Sequence, residues 1–170
     1  MRLMDKIVLV TGSTTGIGEA TARLCVAEGA RVMVHGRDEA RAQALCAQLG
    51  DRSAYVIADL AHPDGPGDLV RATVAHFGTL DAVVNNAAVT TRSNLDTTDA
   101  ALFDWIVAIN LRAPMLVIQA AVEEFRRRGA GVVLNVGSIN ALAGEPNLLA
   151  YSAAKGGLQT MSRNLANALA

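Results

Sequence analysis

The run Lys6-Ile-Val-Leu-Val10 meets a glycine turn, Thr11-Gly12-Ser13-Thr14-Thr15-Gly16-Ile17-Gly18, after which Ala20, Leu24 and Ala27 recur at helical spacing. A strand that passes through such a turn directly into a helix restricts the chain to a small group of α/β arrangements. Glycines let the backbone turn tightly and let a phosphate come close, while the free N–H groups and positive end of the following helix attract a pyrophosphate. Gly12, Ser13, Thr14, Gly16, Ile17 and Gly18 are therefore candidate dinucleotide contacts. The spacing is G-x-x-x-G-x-G, distinct from G-x-G-x-x-G, and at this point a plain tight turn remains the alternative.

The alternation continues along the chain. Gly29 ends the first helix, Arg31 to His35 form a second apolar strand, and Glu39 to Leu49 a second helix, which completes a βαβ unit. In a dinucleotide fold the end of the second strand faces the adenosine ribose, where an acid would bind the 2′-hydroxyl. Gly36 occupies that place and Arg37 follows. An arginine suits a 2′-phosphate through charge-assisted bidentate bonds; the alternative for Arg37 is a solvated loop residue. Asp38 is placed to cap the next helix.

Ala54 to Ala58 read as a third strand closed by Asp59 and Leu60, and Asp68 to Phe77 as a helix after the turn cluster Pro63 to Gly67. Leu80 to Val84 then run into Asn85-Asn86-Ala87-Ala88, a strand end suited to lie under a flat ring or simply an Asn-rich turn. From Thr98 to Arg128 the pattern is helical, interrupted at Asn110 to Pro114. Proline has no N–H, so the Asn110 carbonyl, four residues earlier, loses its helical partner and can hold a water, or the segment is a plain structural kink. Gly131 to Val136 are almost wholly apolar, as a central parallel strand buried on both faces should be. Ser138 follows, residues 139–148 read as a loop, and Ala154, Leu158, Met161, Leu165 and Leu169 form one stripe on a helix running to Ala170. The fold expected is a Rossmann-type doubly wound parallel sheet with helices on both faces, in a single domain over residues 1–170.

At the start of that last helix, Tyr151 and Lys155 stand four residues apart and share a face. A tyrosine hydroxyl has a reference pKa of about 10, so it transfers protons usefully near neutrality only if a group such as this lysine stabilises its phenolate. The alternative is one buried ring and one solvated amine. With 15 basic against 16 acidic side chains and 4% aromatics, the chain lacks the basic field and stacking platforms of nucleic-acid binding, which leaves a small molecule as the expected partner. Met1 to Lys6 place charge where a signal peptide needs an apolar run, and the apolar stretches elsewhere read as shorter than a membrane span; a cytoplasmic protein without a membrane partner is the expectation. Cys25 and Cys46 fall in two predicted helices as small apolar side chains, and His35, His62 and His76 show no ligand spacing with them, so no metal is expected.

On these motifs the chain resembles the short-chain dehydrogenases/reductases from about Lys6 to Ala170. Thr11-Gly12-x3-Gly16-Ile17-Gly18 is similar to the family's cofactor motif, Asp59 to its adenine-contacting acid, and Asn85-Asn86-Ala87 to its fourth-strand signature. Asn110, Ser138, Tyr151 and Lys155 match its catalytic tetrad. The resemblance implies that Tyr151 gives a proton to a carbonyl oxygen, that Ser138 hydrogen-bonds that oxygen, and that Lys155 lowers the tyrosine pKa while holding the cofactor ribose. Asn110 would support a water leading to Lys155. Ala88 stands where the family usually has glycine, a difference of one methyl.

Family members usually continue for some eighty residues more, through a sixth strand, a substrate-covering segment and a seventh strand. The chain is therefore expected to lack the last strands, with a truncated nucleotide-binding or partner-binding product as the alternative to an active enzyme. The further expectations are hydride transfer between a carbonyl or secondary alcohol and NADP(H), favoured over NAD(H), and a homodimer or homotetramer built on Leu116, Val117, Ala120, Leu158, Met161 and Leu165.

Overall fold

The structure is a computed structural model and describes residues 1–169. Its strands are β1 Ile7–Val10, β2 Arg31–Gly36, β3 Ser53–Ile57, β4 Ala82–Asn85 and β5 Val132–Asn135. Between and after them run the helices α1 Gly16–Ala27, α2 Glu39–Leu49, α3 Gly65–Phe77, α4 Ala100–Val107, α5 Ala113–Arg128 and α6 Leu149–Ala168. All pairings are parallel, in the order β3-β2-β1-β4-β5. The doubly wound α/β fold expected from the alternation is the fold observed. The order reverses between β1 and β4, and in such sheets ligands bind beyond the strand ends at that reversal.

Because successive strand residues face opposite sides, β1 feeds two cores. Ile7 and Leu9 join Met33, Leu69, Val83 and Val117 on one face, while Val8 and Val10 join Ala22, Val32, Val34 and Leu45 on the other. Each large side chain so enclosed contributes about 1.5–3 kcal/mol. Cys25 and Cys46 pack with the second core as free thiols, and burial pushes both thiols up from their ordinary pKa.

Local chemistry explains where the helices begin. Asp38 caps α2, its carboxylate accepting from Arg41 N at 3.1 Å. Asp99 caps α4 in the same way, accepting from Leu102 N at 2.8 Å. Helix α3 begins at Gly65, three residues before the expected Asp68, since Pro66 lies in the first turn, where a missing N–H costs no hydrogen bond.

The expected break at Asn110 to Pro114 is a π-helical segment, Ala108–Arg112, in which Ala113 N reaches back five residues to Ala108 O. The helix therefore continues from Ala100 to Arg128, and its most apolar stretch, at a mean hydropathy of 1.6, is long and apolar enough to cross a membrane, contrary to the expectation from sequence. Ile106, Val117, Ile118 and Ala121 on this helix are buried within the protein itself.

Two expectations are corrected. Strand β5 is not buried on both faces, with Val132 62% and Leu134 51% exposed, although its place at the sheet edge agrees with the expectation that the last strands are lacking. Val132 and Leu134 share the face left open among the described residues, while Val133 and Asn135 turn to the face of α5 and α6. Val117 and Leu158, assigned to an oligomer interface, are fully buried in this chain's own core. Leu116, Ala120, Met161 and Leu165 are only half-buried. Ala170, included in the last helix on sequence, lies outside the described residues.

Candidate active site

The glycine turn after β1 opens into a cavity of about 380 Å³, walled by Gly16 and Ile17 at the start of α1, by Arg37 after β2, by Asp59 and Leu60 after β3, and by Asn86 and Ala87 after β4. Gly12 and Gly16 hold φ of 62° and 58°, in the left-handed region that favours glycine. A Cβ on Gly18 would collide with Gly12 O, so glycine there lets α1 close against the turn. No side chain caps α1 at Thr15, which leaves the N–H groups and positive end of its first turn free to meet an anion. These features fit a dinucleotide pyrophosphate.

The candidate contacts divide into wall and foundation. Thr14, Gly16, Ile17, Arg37, Asp59, Leu60, Asn86 and Ala87 line the cavity together with Gly12. Ser13 is fully buried beneath it, its N donating to His35 O at 2.8 Å and its hydroxyl to Val10 O at 2.7 Å. Gly18 is buried as well. Asn86 uses its side chain on the turn, Nδ2 donating to Thr11 O at 3.0 Å and Gly12 O at 3.1 Å. The amides of Asn86 and Ala87 both donate to Thr11 Oγ1 at 3.0 Å, so the Asn-rich segment locks the end of β4 to the turn. At Gly36 an added Cβ would overlap the Thr14 side chain, so an acid there would require Thr14 to move.

On α6, Tyr151 and Lys155 are brought together as their spacing requires. Lys155 Nζ lies 5.8 Å from the Tyr151 ring centroid and donates to Val136 O at 2.7 Å. Lys155 is buried, and burial holds its pKa below the ordinary lysine range. An ammonium carries three donors, so two remain beyond the Val136 bond. Tyr151 is buried against Ile106, Val89 and Leu148. Ser138 caps a short 3-10 segment, Ile139–Ala141, within the stretch read as loop, and its hydroxyl accepts from Asn140 N at 3.2 Å.

Asn110 is fully buried in the π-helical segment, where its Nδ2 donates to Val89 O at 3.0 Å and Ile106 O at 2.9 Å and its Oδ1 accepts from Val89 N at 3.3 Å. It thus pins the loop after β4, which lines the cavity, onto the long helix.

Several supporting contacts were not anticipated from sequence. Asn85 Nδ2 donates to Asn135 Oδ1, and Asn135 Nδ2 to Ser162 Oγ, both at 2.9 Å, a ladder that joins β4, β5 and α6. Ser93 pairs with Leu148 in an isolated parallel bridge that ties the loop after β4 to the start of α6. His35 is a buried imidazole near the end of β2; its place inside an otherwise apolar strand buried on both faces was the available signal. A larger groove of about 680 Å³ lies between α5, β5 and α6, lined mainly by Ile118, Val122, Phe125 and Leu165. It is remote from the glycine turn, and its walls carry no paired acid and base. Among the described residues no group of three His, Cys, Asp or Glu side chains is placed to hold a metal.

Comparison with known proteins agrees with this geometry. A family model described as short chain dehydrogenase matches residues 6–170. An uncharacterized oxidoreductase of Thermotoga maritima is 34% identical over 98% of this chain and 66% of its own length. An L-rhamnose 1-dehydrogenase (NAD(P)(+)) of Azotobacter vinelandii is 37% identical over 99% of this chain and 69% of its own. Thus the chain spans about two thirds of the length of these relatives. The crystal structure of a metagenomic short-chain oxidoreductase in complex with NADP superposes with a TM-score of 0.93 at 30% identity, covering 99% of this chain and 77% of that one. Because the family model matches nearly the whole chain, the chain belongs to the short-chain dehydrogenase family.

Proposed function

We propose that the protein is an oxidoreductase that transfers hydride between NADP(H) and a small-molecule carbonyl or secondary alcohol. The observation that carries this reading is the buried Lys155, one helical turn from Tyr151, held by Val136 O with two donors to spare. Relatives named as oxidoreductases and dehydrogenases, and a structural neighbour in complex with NADP, support it.

The first turn of α1 would hold the pyrophosphate, Asp59 and Leu60 the adenine, Arg37 the 2′-phosphate, and Lys155 the nicotinamide ribose. When bound, the cofactor supplies or accepts the hydride. Tyr151 gives its phenolic proton to the carbonyl oxygen during reduction and takes one back during oxidation. Ser138 donates a hydrogen bond to that oxygen, orienting it and stabilising the negative charge that develops there. The Lys155 ammonium favours the tyrosine phenolate electrostatically, an effect strengthened in a buried site of low dielectric. Pro114 frees the Asn110 carbonyl to hold a water on the path by which Lys155 is resupplied with protons. We place the protein in the cytoplasm as a homodimer or homotetramer using Leu116, Ala120, Met161 and Leu165, which light scattering would test.

The decisive experiment is NADPH oxidation across a panel of aldehydes and ketones. Tyr151→Phe is expected to lower kcat by about 10²–10⁴-fold while leaving NADPH affinity unchanged. Full turnover in that variant would overturn the assignment, and cofactor binding without turnover by the wild type would favour a nucleotide-binding or partner-binding role.

Preference for NADP(H) follows from Gly36 and Arg37. A charge-assisted phosphate contact is worth about 1.5–3 kcal/mol, so Arg37→Ala should cost about tenfold or more in NADPH affinity and little in NADH affinity. Equal binding of the two cofactors by the wild type would refute the preference.

A further inference from the structure

His35 is 3% exposed and touches three segments that meet at the cavity. Gly12 N donates to its Nδ1 at 3.0 Å, and its Nε2 lies 3.1 Å from Ala58 O. A backbone N–H only donates and a carbonyl only accepts, so these contacts admit one arrangement of the neutral ring: a lone pair on Nδ1 and the hydrogen on Nε2. Its main chain closes on the same turn, His35 N donating to Ser13 Oγ at 3.0 Å and His35 O accepting from Ser13 N at 2.8 Å. The glycine turn, the end of β2 and the exit of β3 are thereby joined through one side chain. Gly12, Arg37 and Asp59, one from each segment, all line the cavity.

A second proton on the ring would set Nδ1–H against Gly12 N–H, two donors face to face. The charged groups that face the imidazole are Arg37, following β2, and Asp59, following β3; the glycine turn supplies none. Arg37 opposes protonation and Asp59 favours it, and burial, the largest influence, also opposes it.

We propose that His35, as its neutral Nε2–H tautomer, is a positioning residue for dinucleotide binding, latching the glycine turn to the wall that receives the adenosine end. The proposal rests on the reading of this cavity as a dinucleotide site. The latch touches nothing that distinguishes the two cofactors, so its loss should weaken NADPH and NADH by the same factor, unlike the loss of Arg37.

The ring state is read without cofactor, by long-range proton–nitrogen correlation spectroscopy of the ¹⁵N-labelled wild type between pH 8 and pH 5. A neutral Nε2–H tautomer across that range is expected; a neutral Nδ1–H ring, or an imidazolium at pH 7, would overturn the proposal. NADPH and NADH are then titrated against wild type, His35→Leu and His35→Asn, with circular dichroism and Gly12 amide exchange measured on each. His35→Leu, which removes both contacts, should weaken both cofactors about tenfold and speed Gly12 exchange. His35→Asn, whose Oδ1 can accept from Gly12 N, should recover most of the loss.

A folded His35→Leu variant with unaltered affinities, or an asparagine variant with no recovery, would overturn the latch. Should the leucine variant fail to fold, the tautomer and the asparagine variant still decide. If the wild type shows the expected tautomer but binds neither cofactor, the dinucleotide reading of the cavity is what fails, and the role in binding falls with it.

Discussion

The centre of the sheet and its β5 edge are built differently. Around β1 and β2 every strand residue except Arg31 is buried, and the turn above them is closed by bonds from His35, Ser13 and Asn86 that leave its critical glycines little freedom. At the edge β5 alternates exposed and half-buried residues, and the helix carrying Tyr151 and Lys155 is fastened to this region by few polar contacts: Lys155 to Val136 O and Asn135 to Ser162. The binding half is fixed by its own short-range geometry, whereas the proton-transfer half depends on a longer chain of partners. Cofactor affinity should therefore survive perturbations that turnover does not.

Amide hydrogen exchange gives the largest expected contrast. Val132 and Val136 donate toward β4, to Asp81 O just before it and to Asn85 O at its end, so parallel-strand alternation turns the amides of Val133 and Asn135 to the outer edge. Those two should exchange at least roughly a hundredfold faster than the amides of Val8 to Val10, which open only with the whole domain. Equal protection at the centre and at this edge would break the comparison.

Acid should act on the binding half. Burial holds His35 down to a pKa of about 4, against an ordinary histidine value of 6.5. The unfolded chain therefore binds a proton that the folded one refuses. The stability that the neutral ring contributes is complete above pH 6.5 and is lost as pH falls toward 4, by up to roughly 3 kcal/mol. Chemical denaturation at pH 7 and pH 5 tests this, with a smaller loss expected in His35→Asn. The same pH dependence in both proteins would remove His35 as its cause.

A smaller effect is expected at the seam between turn and helix. Gly18→Ala sets a methyl against Gly12 O, and backbone must shift to admit it. Overpacking of this kind costs about 1–3 kcal/mol. Cofactor affinity should fall, while the protection pattern of β5 and α6 stays as in the wild type. A change confined to the β5 end would invert the account.

Local patterns made much of this protein legible in its amino-acid order. The strand and helix alternation, the Asp38 cap, the glycine turn and the Tyr151–Lys155 pair are all written in spacings of a few residues, where periodicity and glycine chemistry act directly. Other features depend on which segments become neighbours. An apolar stretch such as Gly131 to Val136 looks the same whether one or both of its faces are covered, so the exposure of Val132 and Leu134 follows only from the packing around β5. Asn86 reads as a turn residue until β4 lies beside β1 and brings its amide to Thr11 and Gly12. Likewise His35 is one more residue of an apolar strand until the glycine turn and the exit of β3 reach it from 23 residues away on either side, supplying the donor and the acceptor that select its protonation state.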